Sequence, residues 1–319
     1  MLIGGSLKNN NSILITGGAG FLGSHLVDTF LEKGNRISII DNLSTTSKSN
    51  HINPEAEFIQ MDINDTNLKK TIKKINPKII IHCASQTSVS MSSRNPKKDA
   101  ENNILGTLNL LESFYNSQDY YFVFISTGGA IYGENTGLSV GENHPCSPKS
   151  PYGLSKLTVE NYIKYFSESI RMKHLIVRPA NIFGPRQNPH GEAGVVSIFA
   201  NSMLNNQNVS IFGDGNDYRD YVYVNDVVNF IEKAIEKNAS GVFNVGTGIS
   251  ITTNKVFSDL AEILNYTKKP NYLPKRPGDI KGITLDSKKA LKEINWKPKI
   301  NFEQGLNETI SFLKSVTLN

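Results

Sequence analysis

Residues 13–23 read Ile13-Leu14-Ile15-Thr16-Gly17-Gly18-Ala19-Gly20-Phe21-Leu22-Gly23: a short apolar run, then glycines at 17, 20 and 23, then the opening of an apolar helix. The run predicts a buried strand over 13–16, and residues 20–33 follow with helical periodicity as far as Gly34. The three glycines permit a tight turn, close approach of backbone to a pyrophosphate, and tight helix–strand packing. The helix N-terminus adds free N–H groups and a partial positive charge. A second apolar run, Arg36–Ile40, ends on Asp41, 18 residues beyond Gly23. A carboxylate there accepts the ribose diol of an adenosine and repels a 2′-phosphate, so the pattern points to NAD rather than NADP. The plainer reading of Asp41 is a turn residue before Asn42.

Outward from this unit, strands are expected near 58–61, 78–82, 121–126 and 174–178. Helices are expected over the lysine-rich stretch around 68–75, 99–115 and 152–169. Alternating strands and helices give an α/β fold, a Rossmann-type doubly wound parallel sheet. After residue 180 the pattern loosens, with Gly, Pro and Asn clustered through 183–196. A smaller mixed α/β substrate domain is therefore expected over 181–319, beside a dinucleotide domain over 1–180. Segments around 226–247 are expected to return to the first sheet.

The chain has 319 residues, 38% of them apolar and 20% charged, which excludes a disordered, collagenous or coiled-coil class. No apolar run approaches the ~20 residues that span a bilayer, and the opening MLIGGSLKNNN lacks the apolar stretch of a secretory signal. Thirty-four basic against 29 acidic residues give a net charge of +5. The densest basic run, Lys69 to Lys78, alternates with Leu68, Ile72 and Ile75 at helical spacing, the pattern of a solvated helix face rather than a nucleic-acid patch. Two cysteines, Cys83 and Cys146, make neither a disulfide scaffold nor a zinc site and fit a reducing compartment. No metal, membrane or nucleic-acid partner is expected, and the expected location is the cytoplasm.

A second constellation is Tyr152-Gly153-Leu154-Ser155-Lys156, whose first and last members share one helix face. A free tyrosine has a pKa of about 10; a lysine charge roughly 4 Å away at an effective dielectric near 20 contributes about 4 kcal/mol, or about three pKa units. Tyr152 is thereby expected to act as a base near neutral pH. A third, Ser126-Thr127-Gly128-Gly129-Ala130-Ile131-Tyr132-Gly133, follows a strand, where a hydroxyl can meet a substrate oxygen and pass a proton to the tyrosine.

Together these motifs resemble the extended short-chain dehydrogenase/reductase superfamily, and within it the NAD-dependent nucleotide-sugar epimerases. The likeness runs from Ile13 to about Pro298. It implies cofactor contacts at Gly17, Gly20, Phe21, Leu22, Gly23, Asp41, Asn42, Asp62, Ile63, Ala84, Gln86 and Asn103, together with Tyr152 and Lys156. It implies substrate contacts at Asn181, Val195, Phe212, Arg219, Arg276 and Asp279, in segments similar to the family's diphosphate-binding turns. The arginine forks suit phosphate oxygens. Gln187, Asn188 and His190 are expected to border the sugar, and Ile283 to gate its 2-substituent.

The resemblance also narrows the reaction. Dehydratases and decarboxylases of the superfamily carry acidic residues just after the strand's hydroxyl; here Gly128 and Gly129 occupy those positions. What remains is oxidation at C4 of a UDP-sugar, turnover of the keto sugar, and return of the hydride: 4-epimerisation. Glucose, N-acetylhexosamine and uronic acid substrates stay open. A dehydratase or decarboxylase is the alternative, and a non-catalytic NAD sensor the remoter one. The two glycines are expected to form a smooth wall beside which the ketose swings. Where the family commonly has serine, Gly128 stands, so the hydroxyl role passes to Thr127, with Ser126 as second choice. The likeness further implies a homodimer through the helices at 99–115 and 152–169.

Overall fold

The computed structural model describes residues 11–45, 51–114, 120–135, 137, 139–189, 194–276 and 279–317. Strands β1 (Ser12–Thr16), β2 (Arg36–Asp41), β3 (Glu57–Gln60), β4 (Ile79–His82), β5 (Tyr121–Ile125) and β6 (Lys173–Pro179) are separated by helices, except that β3 follows β2 with no helix between them among the described residues. The helices are α1 (Phe21–Glu32), α2 (Leu68–Ile75), α3 (Val89–Arg94), α4 (Pro96–Ala100), α5 (Gly106–Glu112), α6 (Gly128–Ile131) and α7 (Pro151–Ser169). Then come β7 (Asn181–Phe183), α8 (Val195–Leu204), β8 (Ser210–Phe212), β9 (Tyr218–Tyr223), α9 (Val224–Glu236) and β10 (Gly241–Val245). The chain ends with β11 (Ser250–Thr252), α10 (Thr253–Leu264), β12 (Asn271–Leu273), β13 (Gly282–Ile283) and α11 (Phe302–Thr317).

The main sheet runs β10-β6-β5-β4-β1-β2-β3 with every neighbouring pair parallel. This is the doubly wound Rossmann-type sheet that the order of elements predicts. Strand order reverses direction at β1, and the crevice between the carboxyl ends of β1 and β4 is the place such sheets bind ligands.

Period-two alternation splits each strand between two cores. Leu14, Ile40, Ile80, Phe122, Phe124 and Ile176 pack with Leu68, Ile72, Ile75, Leu110 and Ile163 on one face. Ile13, Ile15, Ile39, Ile81, Val123 and Val177 pack with Leu26, Val27, Phe30, Val227 and Phe230 on the other. Burying strands on both faces is what makes their sequences read as continuous Ile/Val/Leu runs. The lysines of α2 lie on its outer face while Leu68, Ile72 and Ile75 are buried, as the spacing predicts.

Residues 224–245 supply α9, joined to α1 through Lys33 and Glu232 (2.6 Å), and the edge strand β10. The later segments form small sheets of their own: β11-β9-β13, with β7 also paired to β9, and β12-β8. Among the described residues, no helix is long and apolar enough to cross a membrane.

One expected helix is not continuous. Over 99–115 the chain runs from α4 into a π turn (Glu101–Leu105) and only then into α5, and Tyr115 lies outside the described residues. The π turn carries Asn103, 2% exposed, whose side chain reaches Gln86 and Asp99. Wider turns of this kind recur at functional sites because they re-aim one side chain.

Candidate active site

The glycine turn between β1 and α1 is held by contacts that tolerate no side chain. Gly17 has φ +71°, and a Cβ there would lie 2.6 Å from the Ala84 backbone nitrogen. A Cβ on Gly23 would overlap the Gly17 carbonyl oxygen. Helix α1 begins at Gly20 with no side-chain cap and no acidic residue in its first turn, formed by Phe21, Leu22 and Gly23. A compact turn with an uncapped helix N-terminus fits the pyrophosphate of a dinucleotide. Asp41, at the end of β2, accepts the Ala19 N–H on Oδ2 (3.0 Å) and the Leu43 N–H on Oδ1 (2.8 Å). It braces the glycine turn, and its oxygens have lone pairs left that could accept a ribose diol. Asn42 donates to Asp62 Oδ2 (2.7 Å), and the Ile63 carbonyl accepts from Asn109 (2.6 Å), which holds the neighbouring edge of the crevice.

Beneath the crevice lies a polar chain through the core. The Thr16 hydroxyl meets His82 Nδ1 (2.6 Å), His82 Nε2 meets the Thr107 hydroxyl (2.9 Å), and Thr107 donates to the Asn103 carbonyl (2.6 Å). Because the Thr107 proton is committed to that carbonyl, Nε2–H donates and Nδ1 accepts. Burial pushes His82 down to about 3, so the ring is neutral. Asn103 also accepts the Gln86 N–H (2.8 Å) and donates to the Gln86 carbonyl (3.0 Å) and Asp99 (3.1 Å), which fixes the segment after β4.

The hydroxyl and phenol expected to handle the proton meet where β5 ends and α7 begins. Pro151 occupies the first turn of α7, and the Ser150 side chain accepts the Gly153 N–H (3.2 Å). A Cβ on Gly153 would sit 2.5 Å from the Ala130 carbonyl oxygen, so glycine lets α7 seat against the 127–133 turn. The Thr127 hydroxyl lies near that of Tyr152 and counters part of the effect of burial on it. Asn181 adjoins them: a Cβ on Gly129 would lie 3.0 Å from Asn181 Oδ1 and 3.9 Å from Thr127 Oγ1.

Three expectations are corrected here. Ser126 donates to Glu160 (2.6 Å) and so turns away from Tyr152, leaving Thr127 as the hydroxyl at the site. Lys156 does not depress the tyrosine in the way its spacing suggests. Its Nζ donates to the Ile125 carbonyl (2.9 Å) and lies 5.9 Å from the Tyr152 ring centre. Burial dominates both groups, pushing Tyr152 up to about 12 and Lys156 down to about 8. Finally, only one of the two glycines faces the site. A Cβ on Gly128 would run into Leu285 and the Arg178 carbonyl, so that position belongs to the packed interior and Gly129 alone borders Asn181.

On the far side, Arg276 stacks on Phe212 (4.1 Å to the ring centre) and pairs with Asp279 (3.4 Å). Arg219 donates to the carbonyl of Tyr218 beside it on β9 (2.8 Å). Val195 opens α8. Ile283 is buried in β13, in register with Arg219. Gln187 donates to the Ile182 carbonyl and Asn188 to that of Thr45; His190, Pro277 and Gly278 lie outside the described residues. Sequence reading missed Asp99 and Glu160. The available signal was a pair of acidic residues on helix faces otherwise marked for burial.

A family profile described as "NAD dependent epimerase/dehydratase family" matches residues 13–246. A UDP-glucose 4-epimerase of Mycolicibacterium smegmatis is 36% identical over 307 residues, 95% of this chain and 98% of the relative. The solved UDP-glucose 4-epimerase of Thermotoga maritima, with UDP-glucose, matches with a TM-score of 0.92 at 43% identity over 96% of this chain and 99% of that one. A UDP-N-acetylglucosamine 4-epimerase from Methanobrevibacter ruminantium, in complex with UDP-N-acetylmuramic acid, matches at 0.89 and 34% identity over 96% and 99%.

The two glycines separate in one experiment. Gly128→Ala is expected to lower stability by about 1–3 kcal/mol through overpacking against Leu285. Gly129→Ala should stay within about 0.5 kcal/mol of the parent protein. Urea unfolding of the two variants measures both.

Proposed function

Because the chain belongs to the NAD-dependent epimerase/dehydratase family, we propose that it interconverts the C4 epimers of a UDP-sugar, with UDP-glucose and UDP-galactose as the first pair. The carrying observation is the nearness of Thr127 to Tyr152, beside Asn181, on a turn (127–131) whose sequence, Thr-Gly-Gly-Ala-Ile, contains no acid. That arrangement moves a proton at a sugar hydroxyl but offers no carboxyl group to strip a C5 proton or expel a C6 hydroxyl.

NAD is held by the glycine turn, Asp41 and the segment Ala84–Gln86, and when bound it supplies the reversible two-electron acceptor for C4. The chain's own residues do the rest. Tyr152 takes and returns the C4 hydroxyl proton, and Thr127 orients that hydroxyl. Lys156, pulled down to about 8 yet still largely protonated at pH 7, holds the Ile125 carbonyl through its ammonium and so steadies the strand end that leads into Thr127. Asn181, Val195, Phe212, Arg219, Arg276 and Asp279 bind the uridine diphosphate; the Phe212–Arg276 stack presents a guanidinium with free donors to a phosphate. Purified protein given UDP-glucose, UDP-N-acetylglucosamine or UDP-glucuronic acid is expected to yield the 4-epimer of at least one, read by NMR. Tyr152→Phe should lower kcat by about 10²–10⁴-fold. A 4-keto-6-deoxy product in place of an epimer would overturn the assignment.

The pH dependence follows from Lys156. Below about 8 the ammonium is intact; as pH rises through that value its charged grip on the Ile125 carbonyl, beside the catalytic turn, is lost, so kcat should fall on the alkaline side. The same depressed value makes the unfolded chain bind more protons between about 8 and the ordinary lysine range. Folding stability from this group therefore rises with pH where activity falls. A kcat profile and urea unfolding over pH 7–10 should move in opposite senses.

The protein works as a homodimer in the cytoplasm on this reading. Leu154, Tyr162 and Tyr165 form an exposed stripe along α7, and Met91 of α3 and Leu105 of the π turn are exposed on segments that pack against α7. A second copy covers that stripe. Cys83 and Cys146, both unpaired, suit a reducing compartment. Light scattering should give the dimer mass for the parent protein and the monomer mass for Leu154→Lys/Tyr165→Glu; a monomeric parent protein would remove the assignment.

A further inference from the structure

One helical turn behind Lys156, the core holds an ion pair that neither cofactor nor substrate is expected to touch. Glu160 of α7 is fully buried and Arg178 of β6 is 3% exposed. The guanidinium grips the carboxylate with two donors, Nε to Oε1 (2.9 Å) and Nη2 to Oε2 (2.5 Å), and spends Nη1 on the Tyr132 hydroxyl (2.8 Å). Tyr132 in turn donates to Asn244 of β10 (2.6 Å), which is anchored to the Val140 carbonyl (2.9 Å) and to Glu142 (2.8 Å). Glu160 Oε1 also receives the Ser126 hydroxyl (2.6 Å).

Desolvation offsets most of what a buried ion pair gains, and an apolar replacement of the same shape is often as stable, so stability is a poor reason for its presence. Its connections suggest another. The pair joins α7, the end of β5 and β6 at one carboxylate. The turn carrying Thr127 is tied at both ends to it, through Ser126 on one side and Tyr132 on the other. Lys156, four residues before Glu160 on the same helix face, donates to the Ile125 carbonyl next to Ser126 (2.9 Å). The height of α7 against this turn, on which the Thr127–Tyr152 contact depends, is set where Glu160 meets Ser126 and Arg178.

We propose that the Glu160–Arg178 pair is the positioning device of the catalytic turn, holding Thr127 and Lys156 in register with Tyr152 while touching neither substrate nor cofactor. This rests on the epimerase reading for its kinetic arm, but not for its spectroscopic one.

The experiment compares Ser126→Ala, Glu160→Gln and the double variant. Ser126→Ala leaves the ion pair whole and cuts only its tie to the turn. The expected loss in kcat is about tenfold for Ser126→Ala and about 100-fold for Glu160→Gln, with KM for the UDP-sugar within about twofold in both, as for a misplaced catalytic group. The double variant should be no worse than Glu160→Gln, because the serine acts through the glutamate.

A pH profile adds a readout that a merely structural role would not move. Lys156 is faced by Glu160 on its own helix, by Asp99 of α4, by Cys83 and His82 at the end of β4, and by Tyr152. Removing the Glu160 anion should shift the alkaline limb of kcat to lower pH. Independently of turnover, the 13Cζ resonance of Tyr152, assigned by its loss in Tyr152→Phe, should shift in Ser126→Ala.

Unchanged kcat and an unmoved Tyr152 resonance in folded Ser126→Ala would overturn the proposal, as would losses that multiply in the double variant. If Glu160→Gln does not fold, Ser126→Ala decides alone. If the parent protein turns over no UDP-sugar, the epimerase reading fails, and the Tyr152 resonance still tests the positioning role.

Discussion

Two-sided burial of a parallel sheet leaves a ligand one place to bind. With α1 and α9 on one face and α2, α5 and α7 on the other, the faces of β1, β4, β5 and β6 are closed by apolar side chains. Backbone and polar groups can meet a ligand only where the strands end. The glycine turn after β1, Asp41 after β2, Ala84 and Gln86 after β4, Thr127 after β5 and Asn181 after β6 all stand at those ends. The close contacts of Gly17 with Ala84 and of Gly23 with Gly17 draw α1 onto this edge without a side chain between.

Burial also sets the charge state of the site. His82, Tyr152 and Lys156 are each pushed toward the neutral form: His82 to about 3, Tyr152 up to about 12, Lys156 down to about 8. At neutral pH the lysine alone of these three carries charge. A single cation in a low-dielectric setting acts strongly on its neighbours, and its own titration falls close to the working pH range. The reserve of negative charge lies deeper, in Glu160, where Arg178 neutralises it.

Much of this was legible because the physics is local. The spacing of Gly17, Gly20 and Gly23, the apolar runs that became β1, β2 and β4, and the four-residue interval between Tyr152 and Lys156 each constrain the nearby backbone directly. The readings that needed revision concern direction. Gly128 and Gly129 are adjacent and identical, yet one faces Leu285 in the interior and the other Asn181. Ser126 and Thr127 both carry hydroxyls at the end of β5, and strand alternation sends one to Glu160 and the other to Tyr152. The π turn that aims Asn103 inward has no periodic signature in a stretch that otherwise reads as helix.

The amino-acid sequence by itself determined the doubly wound sheet, the glycine turn after β1 and the shared helix face of Tyr152 and Lys156, since hydrophobic period, glycine conformational freedom and helix spacing act over a few residues. Only the tertiary structure decided which hydroxyl lies near Tyr152, how far Lys156 stands from it, and that Glu160 is met by Arg178 and Ser126 from the ends of two different strands. Those facts depend on contacts between residues 18 and 34 positions apart in the chain, closed by packing and by the desolvation it imposes.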